Sequence, residues 1–276
     1  MSFLVPPVKT TPQDKLKQLQ QMIRDMKSCA IAYSGGVDST FLIAVAYDTL
    51  GQNALAVTAT SSTYPKRELE DAKRYAQDIG IPHVIIHSEE LDIPEFADNP
   101  SDRCYYCKKE LFKKIQQIAK EHHLNNVLDG SNADDTVDYR PGARARTELG
   151  VRSPLKEVGL TKQEIRQLSI FLHLKSSGKP PFACLASRIP YGVKITRERL
   201  KQVEAAEEYL FSLGIKQCRV RYHDHIARIE VPLDEIPTII TNAQTIIKRF
   251  KTLGFTYITL DLEGYRTGSL NEVLDT

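Results

Sequence analysis

Apolar side chains recur at helical spacing over residues 12–27, and a short unbroken apolar run, Cys29-Ala30-Ile31-Ala32-Tyr33, follows them. Such a run, bounded by a glycine turn, reads as a buried strand. Residues 38–50 return to a helical pattern that ends at Gly51, a natural C-cap. A strand over 54–60, a charged amphipathic helix over 65–79 stopped by Gly80 and a strand over 82–87 come next. A helix over 105–123 and a strand over 126–128 lead into Asp129-Gly130, and a helix over 161–173 completes the series. Strands alternating with helices predict an α/β fold built on a doubly wound parallel sheet. Ligands of such sheets sit beyond the carboxyl ends of the strands, which singles out the loops 34–39, 60–64 and 129–135. The stretch 175–194 is rich in Pro, Gly and Ser and reads as a loop or linker. Beyond it the pattern becomes helix 196–213, strands 217–222 and 226–231, helix 233–250 and strand 255–261. That order predicts a smaller α+β domain. The expected division is therefore a first domain over 1–180 and a second over 190–276, with no internal repeat.

Composition narrows the function classes. The 276 residues are 41% hydrophobic and 26% charged, enough for a sizeable core. With 37 basic against 35 acidic residues the net charge is only +2, which argues against a dedicated nucleic-acid binder. No apolar stretch approaches 18 residues, and the N-terminus lacks the pattern of a signal peptide, so a cytoplasmic location and no membrane partner are expected. Five cysteines, an odd number in a reducing compartment, point to metal or thiol chemistry rather than disulfides.

The segment Ser34-Gly35-Gly36-Val37-Asp38-Ser39 joins the first strand to a helix. Two glycines let the backbone turn tightly and bring its N–H groups to an anion. The helix start adds partial positive charge. Ser34 and Ser39 supply hydroxyl donors, and Asp38, itself anionic, suits Mg²⁺ better than phosphate. No lysine follows the glycines, so this is not the loop of γ-phosphoryl transfer. The competing reading is a glycine turn that merely caps a helix. Read as SGGxDS, the segment resembles the loop of the PP-loop ATP pyrophosphatases. That resemblance implies ATP and Mg²⁺ as cofactors and adenylation of a substrate with release of pyrophosphate.

Further motifs narrow the resemblance. Val127-Leu128-Asp129-Gly130-Ser131-Asn132-Ala133-Asp134-Asp135 is followed by Asp138-Tyr139-Arg140-Pro141-Gly142 and Ser153-Pro154-Leu155. Then come Ala183-Cys184-Leu185-Ala186-Ser187-Arg188-Ile189-Pro190-Tyr191-Gly192, Arg219-Val220-Arg221, and the C-terminal runs Tyr257–Leu262 and Gly264–Gly268. Together they resemble the LarE family, the sulfur transferases of nickel-pincer nucleotide biosynthesis, over nearly the whole chain. The resemblance implies a small-molecule partner, pyridinium-3,5-dicarboxylate mononucleotide. Its carboxylates would be adenylated and converted to thiocarboxylates for the cofactor of lactate racemase. It also implies other nickel-pincer biosynthesis proteins as partners, a homo-oligomer, and nucleotide contacts from Thr60, Asp129 and Gly130.

Cys104-Tyr105-Tyr106-Cys107 opens a helix, where the dipole favours thiolate, and C-x-x-C spacing serves metal binding or thiol exchange. Cys184 lies in the 175–194 loop. The resemblance implies sulfur delivery at these three residues. A [4Fe-4S] cluster on Cys104, Cys107 and Cys184, a persulfide and a sacrificed cysteine all stay open, beside a purely structural pair. In single-cysteine relatives the sacrificed residue corresponds to Ala183 here, which favours the cluster. Cys29 and Cys218 read as core residues.

Arg219 and Arg221 alternate on one strand, so both face one side. With Arg188 and Ser187 they suit the phosphate or carboxylates of the substrate, although surface arginines are the plainer alternative. Glu207 and Glu230 match acidic positions of the family that hold a metal, and a salt bridge to Arg219 or Arg221 is the alternative for Glu230. His223 and His225 flank Asp224 in an expected hairpin turn. Tyr105 or Tyr106 stacks on a ring or packs the helix. Rival functions are a tRNA-thiolating PP-loop enzyme, an amidotransferase-like ligase and a nucleotide-binding sensor without turnover.

Overall fold

The computed structural model describes residues 10–136 and 141–274. The chain forms two compact units: Met1–Ala59, Arg67–His87 and Lys108–Pro181 make the first, and Thr60–Lys66, Ser88–Cys107 and Phe182–Thr276 the second.

The first unit is built on a four-stranded sheet. Its strands are β1 (Cys29–Ala32), β2 (Ala54–Thr60), β3 (His83–His87) and β4 (Asn126–Leu128), in the order β3-β2-β1-β4. β1 pairs in parallel with both β2 and β4. The helices begin with α1 (Pro12–Met26), where Thr11 and Asp14 form a capping box and Pro12 takes the first turn. They continue with α2 (Val37–Leu50) and α3 (Lys66–Ile79). The short α4 (Pro94–Ala97) and the start of α5 (Arg103–Glu121) fall in the second unit, and the rest of α5 in the first. The first unit then adds α6 (Gly142–Glu148), α7 (Pro154–Glu157) and α8 (Lys162–Phe171). Alternate residues of β1 go to opposite faces. Cys29 and Ile31 join Phe41, Leu42 and Ile165 in one core, while Ala30 joins Leu55, Ile115 and Ala119 in another. A sheet covered on both faces is what a continuous apolar run requires. The expected parallel α/β fold is present.

β1 lies between β2, which follows it in the chain, and β4, which comes three connections later. β2 and β4 thus flank β1 on opposite sides, the strand arrangement beyond whose carboxyl ends α/β sheets bind ligands. The residues following the carboxyl ends of β1 and β4 are Ser34–Ser39 and Asp129–Gly130.

In the second unit, α9 (Arg197–Ser212) and α11 (Ala243–Thr252) cover a three-stranded sheet of β5 (Arg219–His223), β6 (Ile226–Glu230) and β7 (Tyr257–Leu260). β5 and β6 are antiparallel, and β6 and β7 parallel. Val220, Ala227 and Ile229 pack with Leu200, Val203, Ile246 and Phe250. The other face carries Arg219, Arg221, Arg228 and Glu230, with Arg219 opposite Glu230 and Arg221 opposite Arg228. The helix expected over 233–250 is interrupted. A 3-10 turn at Leu233–Glu235 precedes α10 (Ile236–Thr241), and α11 begins only after Asn242. Asn242 has φ −96° and ψ 12°, and its side-chain amide donates to the Thr238 carbonyl (2.9 Å), a local bond that competes with helix continuation. The stretch 175–194, a linker by composition, holds a 3-10 turn at Leu185–Arg188, with Leu185, Ala186 and Ile189 buried in the second unit's core.

Candidate functional site

In the first unit, Gly35 and Gly36 shape the loop after β1. Gly35 has φ +66°, and a Cβ there would lie 2.9 Å from the Ala72 Cβ, so both conformation and space demand glycine. Gly36 is the N-cap of α2 and provides no side-chain acceptor, which leaves the first-turn amides available to an anion. The Ser39 hydroxyl donates to the Gly36 carbonyl (3.2 Å), accepts from the Ser34 amide (3.3 Å) and lies 3.2 Å from Ser34 Oγ. From β4, Gly130 closes on this turn. A Cβ on Gly130 would stand 3.1 Å from both the Cα and N of Ser39. Asp129 beside it is buried and saturated. It accepts from Ser153 Oγ (2.5 Å) and Ser131 Oγ (2.8 Å), and Arg146 lies at 3.5 Å. The loop Ser34, Gly35, Gly36, Asp38 and Ser39 thus stands against Asp129 and Gly130. Thr60, at the end of β2, belongs to the second unit, where its carbonyl accepts from the Ser88 amide (2.9 Å).

Asp38 is divided between two environments. Its Oδ2 accepts from Lys162 Nζ (2.7 Å) and Asn132 Nδ2 (3.3 Å). Its Oδ1 is buried and, among the described residues, has no hydrogen-bond partner. An anionic oxygen left without a donor in an anion-binding loop fits a ligand to Mg²⁺. Lys162 was not legible as a site residue. Its signal is that a lysine opens α8, directly after the Thr161 N-cap of the Thr161–Glu164 capping box, where the helix dipole disfavours a cation. Asp138, Tyr139 and Arg140 lie outside the described residues.

The second unit holds the cysteines and the arginines. Cys104 is exposed, and Cys107 and Cys184 are half-buried. Cys104 and Cys107 lie at the start of α5. The Cys107 thiol donates to Glu90 Oε1 (3.8 Å), a buried carboxyl that burial pushes above its ordinary value. Among the described residues, no three His, Cys, Asp or Glu side chains gather into a set able to hold a metal ion. The three thiols therefore do not stand as a preassembled cluster site. Cys29 and Cys218 are buried core residues, and burial pushes the Cys29 thiol up to about 12. Tyr105 is buried, with Tyr106 edge-on to it at 5.3 Å.

Arg188 and Glu207, each 5% exposed, form a two-pronged pair, Nε–Oε1 2.8 Å and Nη2–Oε2 3.0 Å. Burial works to lower the Arg188 value, and the Glu207 charge outweighs it, so the guanidinium is held above its ordinary range. Arg188 Nη1 also donates to the carbonyls of Ala183 (2.9 Å) and Cys184 (3.3 Å) and to Ser187 Oγ (2.9 Å). Arg221 grips Glu230 in the same way (2.9 and 3.0 Å) and donates to the Ser187 carbonyl and Ser269 Oγ. Glu207 and Glu230 are thus occupied by guanidinium groups. For Glu230 the partners are Arg221 and Arg228, not Arg219. Arg219 differs from its two neighbours. It is 7% exposed, lies over the Tyr265 ring at 4.6 Å and, among the described residues, has no carboxylate partner. Burial, and the nearby charges of Arg188 and Arg221, lower its value. A buried guanidinium beside two others is a place for an anion. His223 and His225 flank Asp224 in the β5–β6 turn, where Asp224 has φ +53°.

Comparison with known proteins bears on this geometry. The chain matches the family model described as asparagine synthase over residues 18–157. It is 37% identical over 261 residues to the pyridinium-3,5-bisthiocarboxylic acid mononucleotide synthase of Lactiplantibacillus plantarum, covering 94% of this chain and 95% of that one. The chain belongs to the LarE family. This LarE-family member is also 47% identical over 264 residues to an uncharacterized protein of Synechocystis sp., covering 95% and 98% of the two chains. A more distant likeness, 28% over 221 residues, links it to a subunit of the glutamine-hydrolyzing GMP synthase of Saccharolobus solfataricus, covering 72% of this chain and 60% of that one. As a LarE-family chain it is an ATP-using enzyme of the PP-loop class. No described helix is long and apolar enough to cross a membrane.

Proposed function

We propose that this enzyme adenylates the carboxylates of pyridinium-3,5-dicarboxylate mononucleotide and replaces AMP by sulfur, giving thiocarboxylates for a nickel-pincer cofactor. The observation that carries this reading is the likeness to the L. plantarum synthase over nearly the full length of both chains. In the first step a carboxylate oxygen attacks the α-phosphorus of ATP, and pyrophosphate leaves with the electron pair. In the second a sulfur nucleophile attacks the acyl carbon, and AMP leaves.

The first-turn amides of α2, with Ser34 and Ser39, are assigned to the departing pyrophosphate. Asp38 through Oδ1 is assigned to Mg²⁺, which when bound neutralises charge on the leaving group. Lys162, paired with Asp38, brings a second cation to the same oxygens. Thr60, Asp129 and Gly130 complete the assigned nucleotide contacts, Gly130 by allowing the close approach to Ser39. Arg219 is assigned to the substrate phosphate. Arg188 and Arg221 hold the Ala183–Ser187 main chain.

Cys104, Cys107 and Cys184 are assigned to sulfur delivery. Three thiolates match the donor set of a [4Fe-4S] cluster with one open iron. Among the described residues their present arrangement does not form that set.

Incubation with labelled ATP, Mg²⁺ and the pyridinium acid is expected to yield AMP and pyrophosphate. ADP and orthophosphate would overturn the reading. Anaerobic isolation with iron and acid-labile sulfide analysis, beside intact mass after turnover, separates the sulfur sources. Iron that Cys104→Ala abolishes supports a cluster, and a mass loss at Cys184 supports sacrifice of that residue.

A further inference from the structure

Arg103 stands one residue before Cys104 and is 3% exposed, yet among the described residues it has no carboxylate partner. One contact holds its head: Nη1 donates to Asn99 Oδ1 (2.7 Å). Its guanidinium lies over the Tyr191 ring at 4.6 Å, and the Tyr191 hydroxyl donates to Asn271 Oδ1 (3.0 Å). Asn99 is itself fixed. It is fully buried at φ +60°, and its amide donates to the carbonyls of Pro190 (2.7 Å), Val193 (2.9 Å) and Ile189 (3.3 Å). The Asn99 carbonyl in turn accepts from the Gly192 amide (3.0 Å). Arg103 is therefore mounted on the main chain that directly follows Arg188, by an asparagine whose donors are all engaged.

What the mounting leaves open is the Nε–Nη2 side of the guanidinium. That same side grips Glu207 in Arg188 and Glu230 in Arg221, with both oxygens bonded in each. In Arg103 neither Nε nor Nη2 donates to any described acceptor, and Nε is buried. A buried Nε left without an acceptor is costly, and a two-oxygen planar anion satisfies it together with the neighbouring Nη2. The Asn99 amide beside the fork is spent on carbonyls and adds no donor to it. That favours a carboxylate, which needs two donors, over a phosphate, whose further oxygens need more.

We propose that Arg103 is a carboxylate-binding residue, and that its occupant is a ring carboxylate of the substrate, the one not reacting in a given cycle. The second clause rests on the function proposed above. A substrate with two equivalent carboxylates needs one held while the other is activated, and a bidentate grip fixes the ring plane as well as its position.

The test is calorimetric binding to the full chain, without ATP, of two probes: pyridine-3,5-dicarboxylate and inorganic phosphate. The parent is expected to bind the dicarboxylate. Arg103→Lys, which keeps charge and stem but loses the fork, is expected to weaken it about 10- to 100-fold. Arg103→Gln, which can still donate to Asn99, is expected to weaken it at least as much. Phosphate affinity should stay unchanged in both. Thermal melting checks that each variant is folded, and the lysine variant carries the test if the glutamine variant is not. No dicarboxylate binding by the parent, equal affinity in a folded variant, or a parallel loss for phosphate overturns the inference. Because no turnover is read, failure of the adenylation assay leaves these outcomes distinct.

Discussion

Replacing Glu207 by Gln separates two roles for that carboxylate. Glu207 meets Arg188 through both oxygens at 2.8 and 3.0 Å, and its Oε1 also accepts from the Val220 amide at 2.9 Å. Glutamine keeps one oxygen, enough for Val220, but removes the charge and leaves Arg188 as an uncompensated buried cation. Breaking one side of a buried pair costs about 3–5 kcal/mol. Against a typical total of about 5–15 kcal/mol that is a large share. At about 2–4 °C per kcal/mol the melting temperature should fall by about 6–20 °C. The assay is thermal unfolding followed by circular dichroism, run once with Mg²⁺ and once with a chelator. The buried-pair account expects the same drop in both. If Glu207 acts instead as a metal ligand, the variant should melt within about 1 °C of the parent in chelator and lose only a metal-dependent increment. That outcome would refute the buried-pair account.

Gly35→Ala should be more specific to the nucleotide. The positive φ costs about 1–2 kcal/mol and the overlap with Ala72 about 1–3 kcal/mol more, so ATP affinity by calorimetry should drop at least tenfold. Unchanged affinity would mean the loop does not hold the nucleotide. Thiol titration of the native protein at about pH 8 should modify Cys104 first, while Cys29, with its thiol pushed up to about 12, and buried Cys218 react only on unfolding. Mass mapping that finds Cys29 modified in the folded chain contradicts this. His83 is lowered by burial first and by Lys73 second, and it lies 2.8 Å from Thr58 Oγ1. The unfolded chain takes up this proton at the ordinary value of 6.5, before the folded one does. His83 stability is thus intact above that value and lost as pH falls from it toward the lowered folded value. In urea melts, His83→Gln should flatten the decline below pH 6.5, and an unaltered slope would exclude His83 as its source.

The β/α alternation was readable because each signal was local. An unbroken apolar run, a Gly after a helix and a capping residue before one each specify their own neighbourhood. The glycine loop was readable for the same reason, since Ser34 to Ser39 are consecutive. The partners of charged groups were not. Lys162 reaches Asp38 across 124 residues, and Arg103 finds Asn99 one turn earlier but Tyr191 far along the chain. Alternation placed Arg219 and Arg221 on one side of a strand correctly, yet it could not say that Arg221 is saturated by Glu230 while Arg219 has no acid among the described residues. The turn at Leu185–Arg188 was hidden by composition, because Pro, Gly and Ser around it outweighed three buried apolar residues. The break at Asn242 escaped because helical periodicity runs through it, with Ile239 and Ile246 buried on either side.

Arg188 takes the carbonyl oxygens of Ala183 and Cys184, so that stretch of main chain is moored by its own peptide groups and owes nothing to the sulfur atom. A residue moored in this way can be oxidised, loaded, stripped or refilled while its backbone stays where it was. If Cys184 delivers sulfur as proposed above, each cycle begins from the same backbone position.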